Sequence, residues 1–153
     1  MKQSAGILLY KTQNRKLYVL LIHPGGPYFE KKDTGVWSIP KGELEEREDA
    51  LTGAKREFFE ETGHVITNEA IPLKTVKQKS GKLVHAWAVE GEMDVTKLVS
   101  NFFEMEWPLH SGKRQSFAEV DRAEWFSLQK ANEKIIPAQR EFLKELQGIL
   151  KLE

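Results

Sequence analysis

The chain has 153 residues, and its 23 lysines and arginines balance 23 aspartates and glutamates. This balance excludes a global attraction to nucleic acid or to an anionic membrane, so we expect no membrane association, no large nucleic-acid partner and only local phosphate-binding clusters. The absence of cysteine excludes disulfides, thiolate nucleophiles and cysteine zinc sites. We expect a single domain over residues 1–153, located in the cytoplasm and either monomeric or homodimeric.

The first part of the chain predicts strands and a long loop. Apolar runs at residues 5–10 and 17–23, separated by a polar turn, indicate two strands. Residues 24–35 then form an irregular segment, and loops of this length are more often functional than accidental. Residues 35–40 predict a short strand that ends at a proline.

A helix is predicted next, over Ala50–Thr62. Asp49 is a suitable N-cap, and Gly63 lies where a left-handed C-cap belongs. The core face of this helix has apolar residues at helical spacing: Leu51, Ala54 and Phe58.

The second part predicts more strands and a helical end. Strands are expected at residues 71–78, 83–90 and 124–126, and the alternation over residues 103–107 favours an exposed strand. Ser127 and Pro137 each begin a helical segment, and the last one has an apolar stripe: Phe142, Leu143, Leu146, Ile149 and Leu150. This order of elements predicts an α/β or α+β sandwich with mixed strands.

Three glutamates near the end of the first helix form an unusual cluster. The spacing of Glu57, Glu60 and Glu61 puts their carboxylates on one helix face. Unit charges about 6 Å apart repel by roughly 1–3 kcal/mol per pair, and the helix dipole disfavours anions at this end. A bound cation relieves both effects, and hard oxygen donors suit Mg²⁺ or Mn²⁺. The alternative is a solvated acidic surface, which is common on charged helices.

The frame around these acids resembles the Nudix box, G-x5-E-x7-R-E-U-x-E-E-x-G-U, where U is a bulky apolar residue. Its fixed positions are occupied in order by Gly42, Glu48, Arg56, Glu57, Phe58, Glu60, Glu61 and Gly63. Only the last position departs from the pattern, because His64 stands there, and that departure affects packing rather than a ligand. The resemblance implies an α/β/α sandwich with a mixed central sheet, a loop–helix–loop formed by the box, and a C-terminal helix.

The resemblance also implies a Nudix pyrophosphohydrolase that needs a divalent metal ion. Its substrate would be a nucleoside diphosphate linked to another moiety, with a nucleoside triphosphate or a dinucleoside polyphosphate preferred. A diphosphate of inositol or isoprenoid type, or a nucleotide-sensing domain without catalysis, are the alternatives. A sensor would be expected to lack one of the metal glutamates, whereas Glu57, Glu60 and Glu61 are all present.

By the same resemblance, Glu57, Glu60 and Glu61 would be metal ligands. The carbonyl of Gly42 would be a further ligand.

The other box residues have supporting roles. Arg56 is expected to pair with Glu48 and to orient Glu57, and an i,i+4 pair with Glu60 is compatible with that role. Lys41 precedes the box glycine, where a lysine can reach a substrate phosphate as a point charge.

Family members often place one more acid in a loop after the box. Glu119 is the candidate here, and Asp121 and Glu124 compete with it. A carboxylate, Glu57 or Glu119, would take the proton from a metal-bound water. The alternative for Glu119 is an ordinary solvated loop acid.

Substrate selection is expected from loops outside the box. In the loop that contains His23, Pro24, Tyr28 and Phe29, Tyr28 is a candidate for stacking on a base, and the alternative for each aromatic is a packing contact. Lys113 and Arg114 bring positive charge to a second loop and are further candidates for substrate binding. The partner is thus expected to be a small phosphate-containing molecule.

Overall fold

The computed structural model describes residues 2–151. Its strands and α-helices are β1 (Gln3–Gln13), β2 (Lys16–Pro24), β3 (Lys41–Glu43), α1 (Ala50–Thr62), β4 (Ala70–Pro72), β5 (Val76–Lys77), β6 (Leu83–Glu90), β7 (Phe102–Glu106), β8 (Arg114–Ala118), β9 (Val120–Ser127), α2 (Leu128–Lys134) and α3 (Arg140–Leu150). Two short 3-10 helices lie at Val95–Lys97 and Pro137–Gln139. No helix within residues 2–151 is both long enough and apolar enough to cross a membrane.

The main sheet has the strand order β4-β6-β1-β2-β9. β1 runs parallel to β6 and antiparallel to β2, so the sheet is mixed as predicted. β1 pairs with β2 near its end, where Tyr10 faces Val19, and with β3 near its start, where Ala5 faces Gly42. The chain from residue 38 to residue 43 therefore fills the space where β1 and β2 separate. This is the position of the first residues of the box.

Helices cover both faces of this sheet. On one face, Ala54 and Phe58 of α1 pack against alternate residues of β1 and β2, among them Ile7 and Leu20. On the other face, α2 and α3 pack against the residues in between; the helical side chains there are Ala131, Phe142, Leu143 and Leu146. Strands buried on both sides explain the continuous apolar runs in the sequence. The predicted α/β/α sandwich is confirmed.

Helix α1 begins and ends where its caps predict. The Asp49 carboxylate accepts the Thr52 N–H at 3.1 Å. Gly63 has a φ of 80°, in the left-handed region, and its N–H donates to the Phe59 carbonyl at 2.7 Å. Both caps use interactions within a few residues, which is why the sequence alone predicts them.

Two predicted strands are wrong in detail. Residues 35–40 form no strand; Trp37 and Ser38 make isolated bridges to Ile135 and Ile22, two different partners. Residues 71–78 divide into β4 and β5, both paired with β6. The pairing continues past Pro72, because the Leu73 N–H donates to the Ala86 carbonyl, but the register has shifted by one residue where Val76 faces Val84.

The remaining differences concern exposed segments. Strand β8 was not predicted, because four of the five residues of Arg114–Ala118 are not large and apolar; it pairs with β7 in a separate two-stranded sheet. The last strand is longer than residues 124–126 and covers Val120–Ser127. In the terminal apolar stripe, Ile149 is exposed, whereas Phe142, Leu143 and Leu146 are buried.

Candidate active site

A cleft of about 310 Å³ opens beside the segment between β1 and β2. Most of its wall is apolar and is formed by Ile22, Pro24, Phe29, Val36, Ile39 and Ile136. Its polar side chains are Ser38, Lys41, Glu61 and Glu119. An apolar cavity with a few converging polar groups is the usual form of a small-molecule site.

Two acids of α1 point toward this region. Glu61 is only 9% exposed, and its Oε1 accepts the backbone N–H of Lys41 at 3.1 Å. Its Oε2 accepts no hydrogen bond from any residue that the structure describes. The carboxylate of Glu57 lies against Gly42, the residue after Lys41. The start of the box thus lies directly on the acids of its helix.

Arg56 joins the acids of the box. Its Nε and Nη2 donate to the two carboxylate oxygens of Glu48 at 2.8 and 2.9 Å. Its Nη1 donates to Glu57 Oε1 and to Glu60 Oε2, each at 2.9 Å. Both predicted contacts of Arg56, with Glu48 and with Glu60, are therefore present together.

Glu57 and Glu61 have higher pKa values than ordinary glutamates. Burial, together with the charges of Glu57 and Glu119, raises the pKa of Glu61 to about 8. Burial is also the main reason that the pKa of Glu57 is raised, with Arg56 opposing the shift. By contrast, the Arg56 guanidinium lowers the pKa of Glu48 to about 2. Negative charge on Glu57 and Glu61 is thus costly in the protein alone.

Lys41 is the one lysine or arginine among the described residues that line this cleft. Burial lowers the pKa of its amine, and repulsion from Lys82 acts in the same direction, while Glu61 and Glu57 oppose both. Its position beside Glu61 allows the amine to meet an anion that enters the cleft.

Among the three acids proposed after the box, Glu119 is the one that lines the cleft. Asp121 is engaged elsewhere, because its Oδ1 lies 2.8 Å from Nδ1 of the fully buried His23. His23 Nε2 also donates to the Lys32 carbonyl at 2.6 Å, so His23 secures the loop instead of facing a ligand. Glu124 lies on β9, opposite Leu21 of β2, and is exposed.

The structure does not bring every candidate into the cleft. The Glu60 side chain is 34% exposed and binds Arg56 outside the cleft lining. Tyr28 packs edge-to-face on Trp107 with 5.5 Å between ring centroids, and its neighbour Phe29 lines the cleft instead. Lys113 and Arg114 are exposed at the β7–β8 hairpin, away from the cleft lining.

Sequence reasoning missed most of the apolar wall. Ile22, Val36 and Ile136 lie in three distant segments, and no local pattern links them. The fully buried Gln139 was also missed; its Oε1 accepts the Ile39 N–H at 3.1 Å and holds the segment that leads to the box. A glutamine directly before an apolar helix was the only signal.

Gly53, inside α1, leaves room for the side chains of Leu44 and Glu48. A Cβ there would lie 2.4 Å from Leu44 Cδ2 and 2.9 Å from Glu48 Oε1. Glycine at this position therefore lets Glu48 reach Arg56 across the helix.

Substitution of Gly42 by alanine is expected to lower kcat by about 10- to 100-fold, because a displacement of about 1 Å in a site can cost about 100-fold. A Cβ on Gly42 would lie 1.9 Å from Glu57 Oε2, so that flexible carboxylate must move while the backbone need not. Steady-state kinetics and a thermal melt measure the two effects.

Gly148→Ala is the control for this substitution. A Cβ at Gly148, within α3, meets nothing within 4 Å, so a gain of about 0.5–1 kcal/mol in unfolding free energy with unchanged kcat is expected. Unchanged kcat in Gly42→Ala would show that the Glu57 position does not matter.

The donor set at the cleft suits a hard divalent cation. Glu57, Glu61 and Glu119 offer carboxylate oxygens, and the free Oε2 of Glu61 has no counter-charge other than Lys41 nearby. As they stand, no three acidic or histidine side chains within residues 2–151 are gathered to hold an ion. Arg56 binds one oxygen of Glu57 and one oxygen of Glu60, so the second oxygen of each carboxylate is left for an ion.

Comparisons with known proteins agree with this fold. The family model described as NUDIX domain matches residues 1–146, and no curated protein matches the sequence. An Ap4A hydrolase of C. elegans, in a binary complex, is 21% identical over 97% of this chain and 98% of that chain, with a TM-score of 0.69. The NUDIX domain of Shewanella oneidensis NrtR, complexed with ADP ribose, is 16% identical over 97% and 87%, with a TM-score of 0.65.

A third similar structure is the MutT protein from Methanosarcina mazei Go1. It is 21% identical over 98% of this chain and 95% of that chain, with a TM-score of 0.64. At these identities the structural likeness supports the fold, whereas the chemistry of the site depends on this chain's own residues.

Proposed function

The chain belongs to the NUDIX domain family and is a pyrophosphohydrolase of that family, and we propose that it cleaves a nucleoside diphosphate linked to a second moiety with the help of a divalent metal ion. One observation supports this proposal above the others. Glu61, Glu119 and Lys41 line one cleft, and the charges of Glu57 and Glu119 both act on Glu61. This cleft therefore contains both acids that can bind a cation and an amine that can bind a phosphate.

Glu57 and Glu61 are the main proposed metal ligands, with Glu60 and the Gly42 carbonyl as further ones. Bound Mg²⁺ or Mn²⁺ would neutralise the diphosphate oxygens and lower the pKa of a coordinated water. The raised pKa values of Glu57 and Glu61 indicate that a cation would stabilise both carboxylates, because it offsets the cost of ionising them.

The other residues of the cleft have separate proposed tasks. The Lys41 amine would contact a substrate phosphate, and the apolar wall with Phe29 would accept the nucleoside. Glu119, exposed at the end of β8, would accept the proton of the attacking water or complete the metal site. Arg56 would hold Glu57 in position through the contacts that it already makes with Glu48 and Glu57.

The similar structures support a nucleotide-linked substrate, because one carries the name Ap4A hydrolase and another was solved with ADP ribose. The distribution of charge in the cleft supports the same class. A single lysine beside two acids favours a phosphate chain bound partly through a cation over a phosphate held by many basic residues.

Glu119→Gln is expected to lower kcat by about 100-fold, the lower range for the loss of a general base. Hydrolysis should be measured with a panel of nucleoside triphosphates and dinucleoside polyphosphates, each with Mg²⁺ and with Mn²⁺. The matched control is Glu124→Gln, which removes the same charge from an exposed position on the following strand and should keep full activity.

Two results would contradict the proposal. Full activity of Glu119→Gln would remove this residue from the chemistry. Binding of nucleotides by the wild type without any turnover would identify a sensor rather than an enzyme.

A further inference from the structure

A second cavity, of about 330 Å³, lies next to the cleft and has no role in the proposed chemistry. It lies between residues 26–30 and the β7–β8 hairpin, and two aromatic side chains, Trp107 and Phe117, line it. Its polar lining consists of Gln115, Glu30 and Asp121. No lysine or arginine occurs among the described residues that line it.

The two cavities share a thin wall. Pro24 and Glu119 line the cleft, whereas Gly26 and Ala118, only one or two residues away, line the second cavity. In the wall between them, the Gly25 N–H donates to the Glu119 carbonyl at 2.9 Å. A Cβ on Gly25 would lie 1.9 Å from the Ala118 carbonyl oxygen, so the two backbones are in direct contact. A single pair of chain segments therefore separates the two cavities, and neighbouring segments in a sheet lie about 5 Å apart. An elongated ligand that passes over this pair would reach both cavities.

The chemistry of the second cavity disfavours phosphate and favours a base. Asp121 is already engaged by His23 and Arg122, but the carboxylate of Glu30 repels an anion, and no basic side chain among the described lining residues is there to bind one. The ring of Trp107 offers a surface for stacking, and each stacked base contributes about 1–3 kcal/mol. Carboxylate and amide oxygens can accept hydrogen bonds from the exocyclic amino group that several bases carry.

The stacking surface is held in place by its neighbours. Tyr28 packs edge-to-face on Trp107, with ring centroids 5.5 Å apart. The Gln115 Nε2 donates to the Trp107 carbonyl at 2.8 Å, and the Trp107 N–H donates to the Lys113 carbonyl at 2.9 Å. A ring positioned before binding reduces the entropy that a ligand must lose to order it.

We propose that this second cavity binds the distal base of a dinucleoside polyphosphate whose phosphate chain lies in the cleft. The inference rests on the proposed function and makes it more specific. A nucleoside triphosphate has one base and fills only the cleft, whereas a dinucleoside polyphosphate has a base at each end. Both parts of the site carry carboxylates, but among the described lining residues only the phosphate side has a basic side chain, Lys41.

Trp107→Leu tests the proposal, because it keeps apolar bulk and removes the ring. We expect kcat/KM for a dinucleoside tetraphosphate to fall by about 5- to 150-fold, the equivalent of about 1–3 kcal/mol of stacking. The value for the matching nucleoside triphosphate should not change. Trp107→Phe should restore part of the loss, and Leu109→Ala, an exposed residue of the same hairpin outside the cavity lining, should have no effect.

The outcomes distinguish failure of the distal-base site from failure of the proposed function. Equal losses with both substrates, or no loss with the dinucleotide, would overturn the distal-base site. If the wild type hydrolyses neither substrate, the proposed function fails. In that case the distal-base site is tested by calorimetry alone, by comparing the Kd of the dinucleoside tetraphosphate for the wild type and for Trp107→Leu. If Trp107→Leu does not fold in a thermal melt, Phe117→Leu is measured with the same pair of substrates.

Discussion

Glu61→Gln is expected to lower kcat by more than about 100-fold, since even the outer partners of metal ligands are each worth about 10- to 100-fold. The substitution keeps the size of the side chain and an oxygen that can accept the Lys41 N–H. It removes the negative charge from the most buried acid of the cleft. The rise in Tm that Mg²⁺ or Mn²⁺ gives the wild type should largely disappear in the variant.

In the metal-free protein, the same substitution should raise the melting temperature at alkaline pH. The pKa of Glu61 is raised from 4.5 to about 8, so the folded state holds this proton more tightly than the unfolded state. That linkage stabilises the fold below about pH 4.5 and is lost as the pH rises through about 8. Without metal, Glu61→Gln should therefore melt above the wild type at pH 8.5 and close to it at pH 4.5.

A pair of melting series, with chelator and with excess Mg²⁺, measures both effects. Glu124→Gln, on the exposed side of β9, provides a control for the change in net charge. A variant that keeps both full activity and the Mg²⁺-dependent rise in Tm would remove Glu61 from the metal site. A variant that melts below the wild type at pH 8.5 without metal would show that burial of its carboxylate is not costly.

The parts of this site that were predictable depend on local spacing. Helix α1 was predicted with both its limits because Asp49 and Gly63 act within one turn of its ends. The contacts of Arg56 were predictable for a similar reason: Glu57 and Glu60 are one and four residues away along the helix.

What the sequence could not show depends on distant contacts. The three box acids were expected on one face, but the loop at Lys41 buries Glu61, whereas Glu60 turns outward to Arg56. The choice of Glu119 over Asp121 depends on His23, which is 98 residues from Asp121 in sequence. The bridges that replace the strand at residues 35–40 likewise join it to two distant segments.

Arg56→Met is expected to lower the unfolding free energy by about 2–3 kcal/mol, somewhat less than for a fully buried ion pair, because the Arg56 side chain is 25% exposed. The substitution leaves the carboxylates of Glu48, Glu57 and Glu60 without the cation that they share. Activity should fall as well, because Glu57 loses the group that orients it. Arg56→Lys should recover only part of both losses, since an amine cannot bind the two Glu48 oxygens in a fork.

The pH dependence identifies the source of this loss. Arg56 lowers the pKa of Glu48 from 4.5 to about 2, so the pairing of Glu48 stabilises the fold above about pH 4.5 and is lost as the pH falls toward 2. Urea denaturation should therefore show a large deficit for Arg56→Met at pH 7 and a smaller one at pH 3. Lys55→Met is the matched control, because Lys55 lies next to Arg56 in α1 and makes no ion pair among residues 2–151. An equal deficit in that control, or the same deficit at both pH values, would mean that the loss comes from the helix surface and not from the acids that Arg56 gathers.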